Sequence, residues 1–147
     1  MTEDDLKTGG SEQVFRPCGR AFFVYYVAMA ICFLGPHINP EIKWLPPWLG
    51  LILGVLLLAA VLYMSWGQEY RLTPRGVAKV WLWPSLRSQE IAWDNLGEVL
   101  VRRGLTQTLM RVGNLLIRDQ AGSEGMFWFG LANPKEIKAL IDERRPT

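Results

Sequence analysis

The side chains that could do nucleophilic or metal chemistry are few and widely spaced. The chain of 147 residues has one histidine, His37, and two cysteines, Cys18 and Cys32. A disulfide between the cysteines would have to span about half a membrane leaflet, so we predict two free thiols. His37 has no companion ligands at metal-binding spacing. We therefore predict no metal site, no cofactor and no catalytic triad.

Glu90, Asp94 and Glu98 form a carboxylate group that could act in general acid–base chemistry. Their alternating, hydrophilic surroundings are more typical of solvated strand ends and turn caps, which is the interpretation we favour. The sequence contains neither a P-loop nor a G-x-G-x-x-G fingerprint. The chain is accordingly predicted not to be an enzyme.

Basic side chains are the candidate binding residues. The set consists of Arg71, Arg75, Lys79, Arg102, Arg103 and Arg111. An anionic lipid headgroup or an acidic protein surface could use such a group if turns brought its members together. The alternative is that they follow the positive-inside rule and keep strand edges soluble. A net charge of +2, without a clustered basic face, argues against nucleic acid as a partner.

Two uncharged apolar segments precede these residues, at 21–38 and 48–66. Each is about long enough to cross the hydrocarbon core of a bilayer, and neither has the polar stripe of a helix in a soluble protein. Four prolines lie in the connection 35–47, which overlaps the end of the first segment. This pattern predicts an antiparallel transmembrane hairpin, with the bilayer as its solvent.

The orientation of this hairpin is predicted from basic residues near its ends. Arg16 and Arg20 precede the first segment, and three members of the basic set follow the second, whereas the connection contains Lys43 alone. Both termini are therefore expected to be cytoplasmic, in a multi-pass protein of a bacterial inner membrane.

Small residues in the two segments predict close helix packing. Gly50 and Gly54 form a G-x-x-x-G pattern, and Ala28 and Cys32 would lie at similar depth on the other helix. We favour packing within one chain, and packing between chains remains the alternative.

After the second segment the pattern changes to the period of two that is typical of strands. Five strands are predicted, at 69–73, 76–83, 98–105, 114–119 and 126–131, with a sixth candidate at 88–93. A helix is predicted to begin after Asn133, with Pro134 in its first turn and Glu136 completing a capping box. Trp81 and Trp83 share a predicted strand face with Lys79, so this face could rest on the bilayer interface or on a partner.

Several short motifs carry a resemblance. They are Tyr70-Arg71-Leu72-Thr73, Gly76, residues 91–96, residues 113–117 and residues 130–134 followed by a helix. This succession resembles the bacterial pleckstrin-homology (PH) membrane proteins, in which two transmembrane helices commonly precede a PH-like barrel. The resemblance implies a bent antiparallel barrel of about seven strands, capped by the C-terminal helix. An unrelated open α+β domain is the alternative.

The predicted organisation is thus a cytoplasmic tail (1–19), a transmembrane hairpin (20–67) and a cytoplasmic PH-like domain (68–147). A non-enzymatic binding or scaffolding module is the first hypothesis for its function, with a membrane-protein partner or a second copy of the chain bound to the domain. Binding of anionic lipid headgroups is the alternative.

Overall fold

The structure, a computed structural model, describes residues 12–146. Its helices are α1 (Phe23–Ile38), which follows a 3-10 turn (Gly19–Phe22), α2 (Pro47–Trp66), the short α3 (Leu105–Leu109) and α4 (Pro134–Arg144). Its strands are β1 (Gln13–Phe15), β2 (Gln68–Leu72), β3 (Gly76–Trp81), β4 (Arg87–Ala92), β5 (Leu96–Arg102), β6 (Val112–Asp119) and β7 (Glu124–Ala132).

The helices α1 and α2 form the predicted antiparallel hairpin. By length and composition, the helical stretches Gly19–Ile38 and Pro47–Trp66 are both apolar enough to cross a membrane. Most of their large apolar side chains are exposed, as expected when lipid is the surrounding solvent. The connection is shorter than predicted, because α1 continues through Gly35 and the buried Pro36 to Ile38.

The hairpin is packed through its small residues. A side chain at Gly50 would collide with the main-chain carbonyl of Cys32, and one at Gly54 would collide with the Phe33 ring. Both glycines are buried, whereas Cys32 and Ala28, one turn before it, are half-buried. In this structure the glycines thus bring α2 against α1 of the same chain.

The strands form two antiparallel sheets instead of the predicted closed barrel. One sheet has the order β1-β2-β3-β4, and the other has the order β5-β6-β7. Among the described residues no backbone ladder joins the two sheets. The barrel expectation is corrected in this respect, while the antiparallel sheets and the C-terminal helix agree with it.

The first strand lies in the segment that the sequence assigned to a tail. β1 pairs with β2 in the register Phe15 with Tyr70 and Gln13 with Leu72. The Phe15 ring also lies 6.4 Å from that of Trp128 on β7. Three residues are too few to show a strand period, which explains why the sequence did not predict β1. The apolar hairpin is consequently inserted between two adjacent strands of one sheet.

The core fills the space between the sheets and under α4. Tyr70, Leu115 and Trp128 are completely buried there, and Ile137 and Ile141 of α4 cover them from the C-terminal side.

Helix α4 begins at Pro134 as predicted, but Asn133 has a left-handed backbone (φ 50°) and its side chain makes no capping bond. The predicted strand 98–105 is too long, because β5 ends at Arg102 and Leu105 begins α3.

The hairpin packing yields a test with a matched control. We expect Gly50→Ala to lower the free energy of unfolding by about 1–3 kcal/mol, because its new methyl group must displace the α1 backbone. Gly35→Ala is the control, since its new methyl group would meet only the Ile31 side chain at 3.9 Å. Thermal unfolding of the full-length protein in detergent measures both, and equal midpoints would contradict the packing.

Candidate functional site

Charged side chains connect the two strands that flank the hairpin. The buried Glu69 on β2 accepts hydrogen bonds from Arg16, which follows β1, and from Arg71 at 2.9 Å. Arg71 also reaches Glu12 at 3.3 Å. The Arg16 hydrogen bond, more than the opposing effect of burial, holds the pKa of Glu69 below its ordinary value. This cluster anchors the chain just before α1 to the strand just after α2.

A row of side chains closes the gap between the two sheets. Tyr70, Lys79 and Gln89 lie opposite one another on β2, β3 and β4. Gln89 donates to the Gly125 carbonyl, Lys79 donates to the Phe127 carbonyl at 3.0 Å, and the Tyr70 hydroxyl accepts from the Phe129 N–H at 2.8 Å. These are alternate residues along β7, so the row satisfies main-chain groups along the edge of β7 that faces away from β6.

Lys79 thus contributes to the structure as a donor to β7. Its ammonium lies 5.0 Å from the centre of the Trp81 ring and 5.8 Å from that of Tyr70, as in cation–π contacts. Burial lowers the pKa of Lys79, and it raises the pKa of Tyr70 to about 12. Lys79 and Trp81 share a strand face, as predicted, and Lys79 reaches β7 of the second sheet, whereas Trp83 lies beyond the end of β3.

The other basic residues are dispersed over the domain. Arg71 is engaged by carboxylates, and Arg75 lies in the β2–β3 turn, about 15 Å along β2 from the hairpin. Arg102 shares a cleft of about 300 Å³ with Lys79, Gln89 and Glu124. Of the six, the structure thus places Arg102 and Lys79 on one cleft.

Arg103 and Arg111 flank α3. The stem of Arg103 folds over Gly113, a position where a Cβ would also meet the ring of Pro134. Arg111 is exposed and has a left-handed backbone (φ 55°) where α3 turns into β6. The connection between β5 and β6 therefore carries a basic residue at each end.

An aromatic cleft lies where α2 meets the sheet domain, by which we mean the two sheets together with α3 and α4. The rings of Tyr63 and Trp83 are 5.9 Å apart and nearly perpendicular. Trp81 and Arg87 join them around a cleft of about 350 Å³. The turn between β3 and β4 exposes Leu82, Trp83 and Leu86, so an apolar loop stands beside the last turns of α2.

Strand β4 is an accessible sheet edge beside the cleft of Arg102. It pairs with β3 along one side, and no described strand pairs with its other side. Every residue of β4 except Ile91 is exposed. Such an edge offers unpaired main-chain groups to an added strand.

Within residues 12–146 no group of three His, Cys, Asp or Glu side chains could hold a metal ion. The sequence did not predict a site role for Arg16, for Gln89, or for Leu105 and Leu109, the two leucines of α3. Arg16 was visible as a charge beside the hairpin, whereas the role of Gln89 depends on the crossing of two sheets and has no local signal.

Comparison of the chain with protein-family models, with curated proteins and with solved structures found no match. The resemblance to PH membrane proteins therefore stays a prediction.

The Glu69 cluster predicts a pH dependence. The pKa of Glu69 is lower in the folded protein than its ordinary value of 4.5, so the ionised carboxylate stabilises the fold at pH values above 4.5. This stabilisation is lost as the pH falls through the pKa of Glu69 in the folded protein. We expect Glu69→Gln to lower the free energy of unfolding at pH 7 by about 1–2 kcal/mol; the effect is limited to this size because Arg16 is half-exposed to solvent. The free energy of unfolding of this variant should also fall less steeply than that of the wild type as the pH drops below 4.5. Denaturant unfolding of the full chain at pH 7 and pH 3.5 measures this, with Glu41→Gln in the exposed hairpin turn as control. Parallel pH profiles for the wild type and Glu69→Gln would argue against the cluster.

The side-chain closure between the sheets predicts a specific cost for losing one hydroxyl. Tyr70→Phe keeps the buried ring but leaves the Phe129 N–H without its acceptor, so we expect a loss of about 1–3 kcal/mol. Tyr63→Phe is the matched control, because its ring is exposed. Amide exchange should show faster exchange at Phe129 in Tyr70→Phe alone. Unchanged protection there would mean that another group satisfies this edge of β7.

Proposed function

We propose that the chain is a membrane-anchored, non-enzymatic binding module with a PH-like domain, held at the cytoplasmic face of a bacterial inner membrane. The observation that carries this proposal is the insertion of two exposed apolar helices between paired strands β1 and β2. Because both ends of the hairpin are fixed to one sheet, an inserted hairpin keeps the domain against the bilayer. Anchoring raises the local concentration of the domain, so weak contacts with a partner suffice.

The PH-like assignment rests on the arrangement of the elements. The antiparallel sheets and the C-terminal helix that begins at Pro134 support it, whereas β1 precedes the hairpin and the resemblance places both transmembrane helices before the barrel. The side-chain row of Tyr70, Lys79 and Gln89 also links the two sheets, because its members bond main-chain groups of β7. A fold of this kind does not by itself define a ligand.

The binding surface that we propose is the edge of β4. An extended segment of a membrane-protein partner could add there as a further strand, with main-chain hydrogen bonds for affinity. Its inward side chains would face the cleft of Arg102 and Glu124, where charges of both signs give selectivity. A second copy of this chain is the alternative occupant.

Recognition of anionic headgroups by the six basic residues together has less support. Arg71 is paired with two carboxylates, Lys79 donates to a main-chain carbonyl, and Arg75 lies at the far end of the β2–β3 hairpin. Direct contact of the domain with lipid would instead use elements beside the hairpin.

The β4 edge can be tested by site-specific photo-crosslinking in intact membranes. A photoreactive residue in place of Ser88 should give one discrete adduct, because this position lies on the unpaired edge strand. The same residue in place of Ser123, in the β6–β7 turn, is the matched control. Mass spectrometry identifies the adduct, and twice the mass of the chain would indicate a second copy. No adduct at Ser88, or equal labelling at both serines, would overturn the proposed surface.

Membrane anchoring itself is tested by protease digestion of inverted inner-membrane vesicles. We expect the sheet domain to be cleaved at once, while residues of α1 and α2 remain protected. Protection of the domain in these vesicles would contradict the proposed cytoplasmic orientation.

A further inference from the structure

Two apolar elements of the sheet domain lie beside the hairpin, one next to each of its helices. Leu105 and Leu109 of α3 are 94% and 76% exposed. They are four residues apart, so their side chains lie on the same face of the helix. Leu86 is 78% exposed and Trp83 is 65% exposed in the β3–β4 turn. Exposed large side chains grouped in this way are typical of a surface that contacts another apolar phase.

The position of α3 indicates which phase this is. Thr106, Gln107 and Met110 form a small crevice with Phe23 and Val24, the first residues of α1. The side of α3 that faces away from the two exposed leucines therefore packs against the start of the first candidate membrane span. The exposed leucines consequently lie close to the level at which the hairpin would enter the bilayer.

The β3–β4 turn has the corresponding position beside α2. Trp83 contacts the Tyr63 ring, and the two lie with Ala59 and Leu62 around a second cleft of about 360 Å³. Tryptophan and tyrosine rings prefer the level of the headgroups, where one part of the ring is apolar and another is hydrated. The turn thus continues the aromatic end of α2.

α3 is held rigidly in this position. The Gln107 side chain accepts from the Gly104 N–H at 3.0 Å and donates to Asn114 at 3.3 Å. Asn114 in turn accepts from the Gly130 N–H at 2.9 Å on β7. Because this chain of hydrogen bonds ties α3 to two strands, its exposed leucines are a fixed feature of the surface.

Basic residues border both apolar elements. Arg102, Arg103 and Arg111 flank α3, and Arg87 follows the β3–β4 turn. The structure gives these four side chains no ion pair with any residue between 12 and 146. Leucine and tryptophan bordered by arginine is the composition of elements that lie in an anionic membrane interface.

We infer that α3 and the β3–β4 turn insert Leu105, Leu109, Leu86 and Trp83 into the bilayer interface, one element beside each helix of the hairpin. This inference rests on the proposed membrane anchoring. Three attachments, namely the hairpin and two apolar contacts, fix the tilt of the sheet domain. The β4 edge is thereby held at a fixed orientation and a fixed distance from the membrane surface. The partner must therefore present an extended segment at the same distance from the membrane.

Depth measurement on the full-length protein tests the inference. Cys18→Ser and Cys32→Ala provide a background without cysteine, into which single cysteines are placed at Leu105, Leu109, Leu86 or Ala121 and labelled with an environment-sensitive fluorophore. The protein is reconstituted into vesicles of phosphatidylethanolamine and phosphatidylglycerol. Ala121, in the β6–β7 turn, is the exposed control, and a probe at Leu56 on α2 reports insertion of the hairpin.

We expect quenchers attached to lipid headgroups to quench the probes at 105, 109 and 86 several-fold more than the probe at 121. Equal quenching at 105, 109 and 121, with the Leu56 probe shielded from aqueous quenchers, would overturn the inference and leave the anchoring intact. A Leu56 probe open to aqueous quenchers would overturn the anchoring as well.

The double variant Leu105→Ser, Leu109→Ser should leave the thermal midpoint in detergent unchanged, because both side chains are exposed. A large drop in this midpoint would mean that the two side chains pack inside the protein, which would contradict the inference.

Discussion

The pairing of β1 with β2 is the constraint on which the rest of the structure depends. These strands are joined along three residue pairs, although the entire hairpin separates them in sequence. Glu69 strengthens the junction by binding Arg16 and Arg71, and its lowered pKa shows that the ionised form is favoured. Both ends of the hairpin must therefore emerge on the same side of any bilayer that it enters.

The second constraint is the way in which the two sheets are joined. A barrel closes when a ladder of main-chain hydrogen bonds removes its edges. Here Tyr70, Lys79 and Gln89 supply the corresponding donors and acceptors from side chains in one row. Main-chain groups on the β7 edge are thereby satisfied without a further strand pair, and the Lys79 ammonium supplies one of these hydrogen bonds.

Much of the architecture is predictable because it follows from local patterns. The uncharged runs gave the two helices, the period of two gave β2, β3, β6 and β7, and Pro134 gave the start of α4. The sequence did not reveal β1, because its three residues show no strand period and its partner is distant. It also did not reveal the end of β5, because the capping of Gly104 by Gln107 was not recognised. Arg71 looked like a free cation in sequence, but Glu69 is two residues away on the same strand face and binds it.

The placement of the hairpin inside a sheet has a consequence for biogenesis. The ribosome synthesises Phe15 long before its neighbour Tyr70, so the four-stranded sheet acquires its outermost strand late. Closing so long a loop carries an entropic cost, which an inserted hairpin reduces by holding its two ends together. If the hairpin enters a membrane as proposed, its insertion and the completion of the sheet are coupled steps. A chain whose hairpin stalls leaves β1 unpaired and exposes the edge of β2 to chaperones and proteases.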